Sequence, residues 1–183
     1  MEEIRAYFRR FEEARDKYEI LPDNTWNFDE TGWRIRCLQG RIVFMFLDVT
    51  AVYMSNPDVR EIYTGLEAIS GGGRKISSML ILPGTKLLEH YFNNNIDSEI
   101  LFGTNKKTGS GYTNDQLALD WLKYFEYYTR PGRRTCRGVE YNGQWRMLVM
   151  DGHGFYLTLE FIDYCWDYKI VSFKLIPYSI HLL

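Results

Sequence analysis

Residues 147–154, Met-Leu-Val-Met-Asp-Gly-His-Gly, hold a short apolar run that stops on a carboxylate and two glycines. Met147 to Met150 reads as a buried strand, and Asp151-Gly152 as the turn that breaks it. Downstream, residues 157–168 predict a helix with Phe161, Ile162, Cys165 and Trp166 inward. Residues 170–176 predict a last strand, so the C-terminal part is a strand–helix–strand unit.

Working back from this unit, Thr113 or Asn114 can cap a helix that carries Leu117, Trp121, Phe125 and Tyr128 at helical spacing. Residues 93–111 are polar and rich in Gly, Asn and Lys, and residues 130–144 are basic; both predict loops. Residues 60–69 and 76–82 predict two strands of a hairpin turning at Gly71-Gly72-Gly73. Residues 41–54 are strand-like too. Thr25 to Asp29 predicts a short buried strand, closed by Gly32. Ile4, Tyr7, Phe8, Phe11 and Tyr18 lie roughly on one helical face, which predicts a leading helix over residues 2–18. An antiparallel start followed by a βαβ end predicts an α/β fold, a mixed sheet with helices on it. No repeat or domain boundary appears, so residues 1–183 read as one domain: a leading helix to about residue 20, then a core from residue 25.

Composition agrees with a packed globular chain. Of 183 residues, 45% are hydrophobic and 16% aromatic, enough for a sizeable core. The net charge of -2 gives no global signature for nucleic acid, so such contacts must come from local patches. Cys37, Cys136 and Cys165 are odd in number and show no zinc spacing, which predicts free thiols in a reducing compartment. The charged start (Glu2, Glu3, Arg5) argues against a secretory signal, and no apolar run is long enough to span a bilayer. The expectation is an intracellular protein without membrane contact.

Asp29, in Asn27-Phe28-Asp29-Glu30-Thr31-Gly32, and Asp151 both follow apolar strand residues and precede a glycine. Alone, each reads as a turn residue capping backbone amides. As a pair they read as metal ligands. On neighbouring strands they would converge at one sheet edge and repel unless a cation intervened. Hard cations such as Mg²⁺ or Mn²⁺ prefer such oxygen ligands, and two of them serve phosphodiester chemistry. After Asp167 no acid follows. Glu160, Asp163 and Asp167 predict a solvated helix face, and Glu30 is expected to point away from Asp29.

NFDETG (27–32), REIYTGLEAISGGGRKISSMLIL (60–82), GYTNDQLALDWLKYF (111–125), MDGHG (150–154) and LTLEFIDYCWDYKIVSFKLIPYSIHLL (157–183) together resemble the DDE endonuclease domain of pogo/Tigger-type DNA transposases, fungal ones in particular. The resemblance implies an RNase H-like sheet, metal-dependent strand cleavage and transfer on DNA, and a nuclear location. It makes Asp29 the first catalytic, metal-binding acid and Asp151 the second, with Mg²⁺ or Mn²⁺ as cofactor and DNA, with a second copy of the chain, as partner. The family places its third acid just beyond a segment like Pro177 to Leu183. The expectation is therefore a domain cut short of its last helix and third acid, with an incomplete site and little or no cleavage. The pattern also departs after Gly154, where Phe155 and Tyr156 replace the family's Ser-His.

Arg130, Arg133, Arg134 and Arg137 cluster near Pro131 and Gly132. They read equally as a DNA-phosphate loop and as a solvated surface loop, with Arg133, Arg134 and Arg137 the candidate DNA contacts. Lys106-Lys107 is a weaker version of the same case. His153 reads as a turn or outer-sphere residue, His90 and His181 as structural or exposed, and Trp33 as a possible DNA neighbour. The alternative function is a non-catalytic nucleic-acid-binding or protein-interaction remnant.

Overall fold

A computed structural model describes residues 2–35, 61–87, 89, 98–130, 132–135, 138–141, 143–151 and 158–175. Helix α1 (Glu2–Lys17) leads through a 3-10 turn at Pro22–Asn24 into β1 (Thr25–Ile35). Strands β2 (Glu61–Ser70), β3 (Met79–Leu82) and β4 (Leu101–Thr104) precede helix α2 (Asp115–Thr129). Then come β5 (Gly132–Thr135), β6 (Gly138–Tyr141), β7 (Arg146–Met150), helix α3 (Leu159–Asp167) and β8 (Ile170–Lys174). The strand expected over 41–54 lies outside the described residues, as do Cys37, Cys136, His90, His153 and His181.

Six strands form one sheet in the order β4-β3-β2-β1-β7-β8. The pairs β1–β2 and β2–β3 are antiparallel. The pairs β1–β7, β7–β8 and β3–β4 are parallel. This is the expected α/β mixed sheet: a hairpin half joined at β1 to a parallel half, with α3 as the crossover from β7 to β8.

Helices cover both faces, and alternation along the strands decides which residues meet them. On one face Trp26, Phe28, Leu66, Leu148 and Met150 pack with Leu117, Trp121 and Phe125 of α2 and with Phe161 and Cys165 of α3. On the other, Met147 and Val149 meet Ile20, Phe11, Ala14 and Tyr18, together with Val171 and Phe173 of β8. Strand β7 is thus buried throughout, as its apolar run implied. The packing on this second face involves β7 and β8; the same face of β1 and β2 lines an open cavity.

Three expectations need correction. The segment 93–111 is not all loop: Leu101–Thr104 is strand β4, paired parallel with β3 from Met79↔Leu101 to Leu82↔Thr104. Four residues between polar stretches carry too little local pattern, and the pairing itself makes the strand. The basic segment 130–144 contains a hairpin, with Arg133 opposite Glu140 and Arg134 opposite Val139. Trp166 does not point inward but is 52% exposed. Phe161 and Cys165, four apart, set the buried stripe of α3, and the next residue turns away from it.

Candidate active site

Strand β1 does not break at Asp29. It runs through Gly32 to Ile35 because β2 stays paired with it along that whole length, down to Ile35↔Glu61. What stops at this point is the pairing with β7. The parallel register runs Thr25↔Met147, Trp26↔Leu148, Asn27↔Val149 and Phe28↔Met150. Asp29 and Asp151 are the next residue on each strand. Adjacent strands lie about 4.8 Å apart, so the two acids begin side by side at the end of the parallel ladder. The conditional expectation that the strands are neighbours is met, though for a reason other than a turn at Gly32.

Both aspartates are exposed. An Asp29 carboxylate oxygen accepts the Glu30 N–H at 2.8 Å, which fixes the carboxylate near the strand. Asp29 faces a cavity of about 630 Å³ with Asn27 and Thr31 of its own strand. Phe28 and Met150 face the opposite, buried side. Alternation carried one residue past Met150 sets Asp151 on the same side as Asp29.

The register adds an acid that sequence reading missed. Glu67 of β2 is the direct cross-strand partner of Asp29. It lines the same cavity, is exposed, and accepts the Ser78 hydroxyl at 3.0 Å. Lys75 lines that cavity too. The strand carries two acids, Glu61 at its start and Glu67 within it, and nothing local sets Glu67 apart; its position opposite Asp29 depends on a register that the sequence does not spell out.

The donor set suits a hard divalent cation, since carboxylate oxygens are its preferred ligands. Two aspartates would fill a minority of such an ion's shell, the rest falling to water and substrate oxygens. Among the described residues, no group of three or more His, Cys, Asp or Glu converges closely enough to hold a metal. Glu160, Asp163 and Asp167 are exposed along α3, as expected.

The other candidates divide. Arg133 and Arg134 lie on β5, while Arg137 lies outside the described residues. Arg130 is bound to Glu126 by two hydrogen bonds of 2.7 Å, and this pairing raises its pKa. Trp33 is 44% exposed, and its indole lies over Gly65, where any β-carbon would strike the ring.

Comparison with known proteins bears on this geometry. Residues 60–182 match the family model described as "DDE superfamily endonuclease", a match that includes Asp151 and starts after Asp29. The chain is 27% identical over 185 residues to the MFS-type transporter clz9 of Cochliobolus lunatus, covering 98% of this chain and 18% of that protein. Among the described residues, no helix is long and apolar enough to cross a membrane. Among solved structures, a pre-cleavage Mos1 transpososome is similar over 97% of this chain and 43% of its own, at 11% identity and a TM-score of 0.49. The Mos1 transposase paired-end complex with left transposon end matches 92% of this chain and 40% of its own, at 10% identity and a TM-score of 0.44. The simian T-cell lymphotropic virus intasome in complex with PP2A regulatory subunit B56 gamma matches 87% and 34%, at 14% identity and a TM-score of 0.42. The family match spans more than half of the chain, and the chain belongs to the DDE superfamily endonucleases.

Proposed function

We propose that this chain is the catalytic-domain segment of an enzyme that cuts and joins DNA strands, with Asp29 and Asp151 holding the divalent metal. The observation that carries the reading is the register of β1 and β7, which sets both acids one residue past the last pair, Phe28↔Met150. Two carboxylates one strand spacing apart repel unless a proton or a cation lies between them. Mg²⁺ or Mn²⁺ fits that need and supplies, when bound, a Lewis acid for a phosphodiester oxygen.

The protein's own part is placement. Strand pairing fixes both backbones, and the Glu30 N–H holds the Asp29 carboxylate. The cavity over β1 and β2 leaves Asp29 open to a macromolecular substrate, and Asp151 is exposed. DNA is that substrate, and the nucleus the place where a chain of this kind meets it. Two acids hold a shared cation loosely. Because this chemistry depends on precise positioning, the segment gives little or no strand cleavage by itself.

The test is incubation of the purified chain with supercoiled plasmid and Mn²⁺, beside Asp151→Asn. Plasmid should be retained in gel-shift assays but stay supercoiled. Nicking that Asp151→Asn abolishes would show a working site and overturn the expected inactivity. Failure to bind plasmid at low salt would overturn DNA as the substrate.

A further inference from the structure

A second groove, larger than the cavity at Asp29, lies away from the acids. It runs between edge strand β4 and the start of α2, with a volume of about 1520 Å³. Strand β4 is three strands from β1, about 14 Å at the usual spacing of roughly 4.8 Å. Lys86, Lys106, Lys107 and Lys123 line the groove, against Asp115 and Asp120. Asp120 already accepts the Gln116 side-chain amide at 2.9 Å. This local excess of positive charge stands out in a chain whose net charge is -2.

Aromatic rings interleave with the lysines. Tyr112 is 52% exposed and Tyr127 is 66% exposed, both on the groove. Its floor is apolar, from Met79, Leu101 and Leu117. The start of α2 enters the groove at Asn114 and Asp115, bringing the positive end of the helix dipole. Beside it stands Thr113, 4% exposed, whose buried hydroxyl has no hydrogen-bond partner among the described residues.

The loop carrying Lys106 and Lys107 is held in shape without a ligand. The Asn105 side chain donates to the Tyr112 carbonyl at 3.1 Å and accepts the Thr108 N–H at 3.3 Å. The Thr64 hydroxyl anchors the loop to β2 through the Gly111 carbonyl at 2.7 Å.

We infer that this groove binds a single-stranded segment of DNA, its phosphates on the lysines and the head of α2 and its bases on Tyr112 and Tyr127. Lysines with interleaved exposed tyrosines are the chemistry of single-strand binding: charge follows the backbone, and rings stack on bases of any sequence. An acidic peptide would use the lysines but leave the tyrosine faces unexplained. The site is independent of the acid pair and needs no metal.

The test is fluorescence anisotropy of a labelled oligo-dT 12-mer with the full chain in EDTA, across a salt series. Variants are Lys106→Ala/Lys107→Ala and Tyr127→Ala. The lysine double variant should bind at least 10-fold more weakly, with the slope of log K against log salt shallower by about 1.4, near 0.7 per lost single-strand contact. Tyr127→Ala should lose at least 5-fold, as base stacking requires. Wild-type affinity in the lysine or tyrosine variants, or equal losses on a duplex of the same length, overturns the proposal.

Discussion

Glu67 stands directly opposite Asp29 across β1 and β2, and like charges facing each other in a sheet destabilise it. Glu67→Gln should therefore raise the urea midpoint slightly in EDTA while weakening Mn²⁺ binding a few-fold; a lower midpoint in EDTA would show that the Ser78 hydrogen bond outweighs the repulsion. Cys165 tests a different residue-level claim. Burial pushes its thiol from an ordinary 9.0 up to about 12. The folded state thus keeps a proton that the unfolded state loses above about pH 9, so this group's contribution to stability is full below pH 9 and fades as pH rises toward 12. Native Cys165 should resist iodoacetamide at pH 8, read by peptide mass, and alkylation at the rate of a free thiol would contradict its burial. At this scale Asp151 was legible as the acid that follows a buried strand, because the apolar run before it is a local pattern, whereas the glycine after Asp29 suggested a break that β1 does not make. Glu67 was not, because its importance comes from a partner 38 residues away in register.

Helix α2 is tied to the sheet by a buried charge that its sequence pattern did not announce. Arg146, at the head of β7, is 0% exposed. Its guanidinium donates to the Thr129 hydroxyl at 2.9 Å, the Glu126 carbonyl at 3.2 Å and the Tyr168 carbonyl at 2.8 Å. The Glu126 carboxylate lies 3.7 Å away and also holds Arg130. Glu126→Gln leaves the buried cation without its counter-charge and should cost about 3–5 kcal/mol in urea unfolding. A loss under about 1 kcal/mol would mean that the carbonyls and the hydroxyl suffice. Of the two caps the sequence offered, Thr113 and Asn114, the second is used: the Asn114 side chain accepts the Leu117 N–H at 2.9 Å. Asn114→Ala should cost about 1 kcal/mol by the same measurement. The long periodic elements α1, α2, β2 and β7 were legible because periodicity or uniform burial repeats over several residues. The four-residue strands β4, β5 and β6 were not, since each is made by its partner rather than by its own composition.

The whole molecule follows from one asymmetry. One face of the sheet packs on α2 and α3. On the other, residues of α1 and its C-terminal turn pack on β7 and β8, while β1 and β2 border an open cavity that holds Asp29 and Glu67. The mixed topology could be read from the order of hairpin and βαβ unit. The open half of the face could not, because it depends on where α1 docks. The same topology ends the parallel pairing of β1 and β7 at Phe28↔Met150 and so brings together acids 122 residues apart. The central claim is that they share one cation, and a double-mutant cycle on Mn²⁺ binding, read by electron paramagnetic resonance, tests it most directly. Asp29→Asn and Asp151→Asn should each weaken binding at least 10-fold, and the double variant should bind no more weakly than the worse single one. Losses that simply multiply in the double variant, or a single variant that binds as the wild type does, would contradict a shared site.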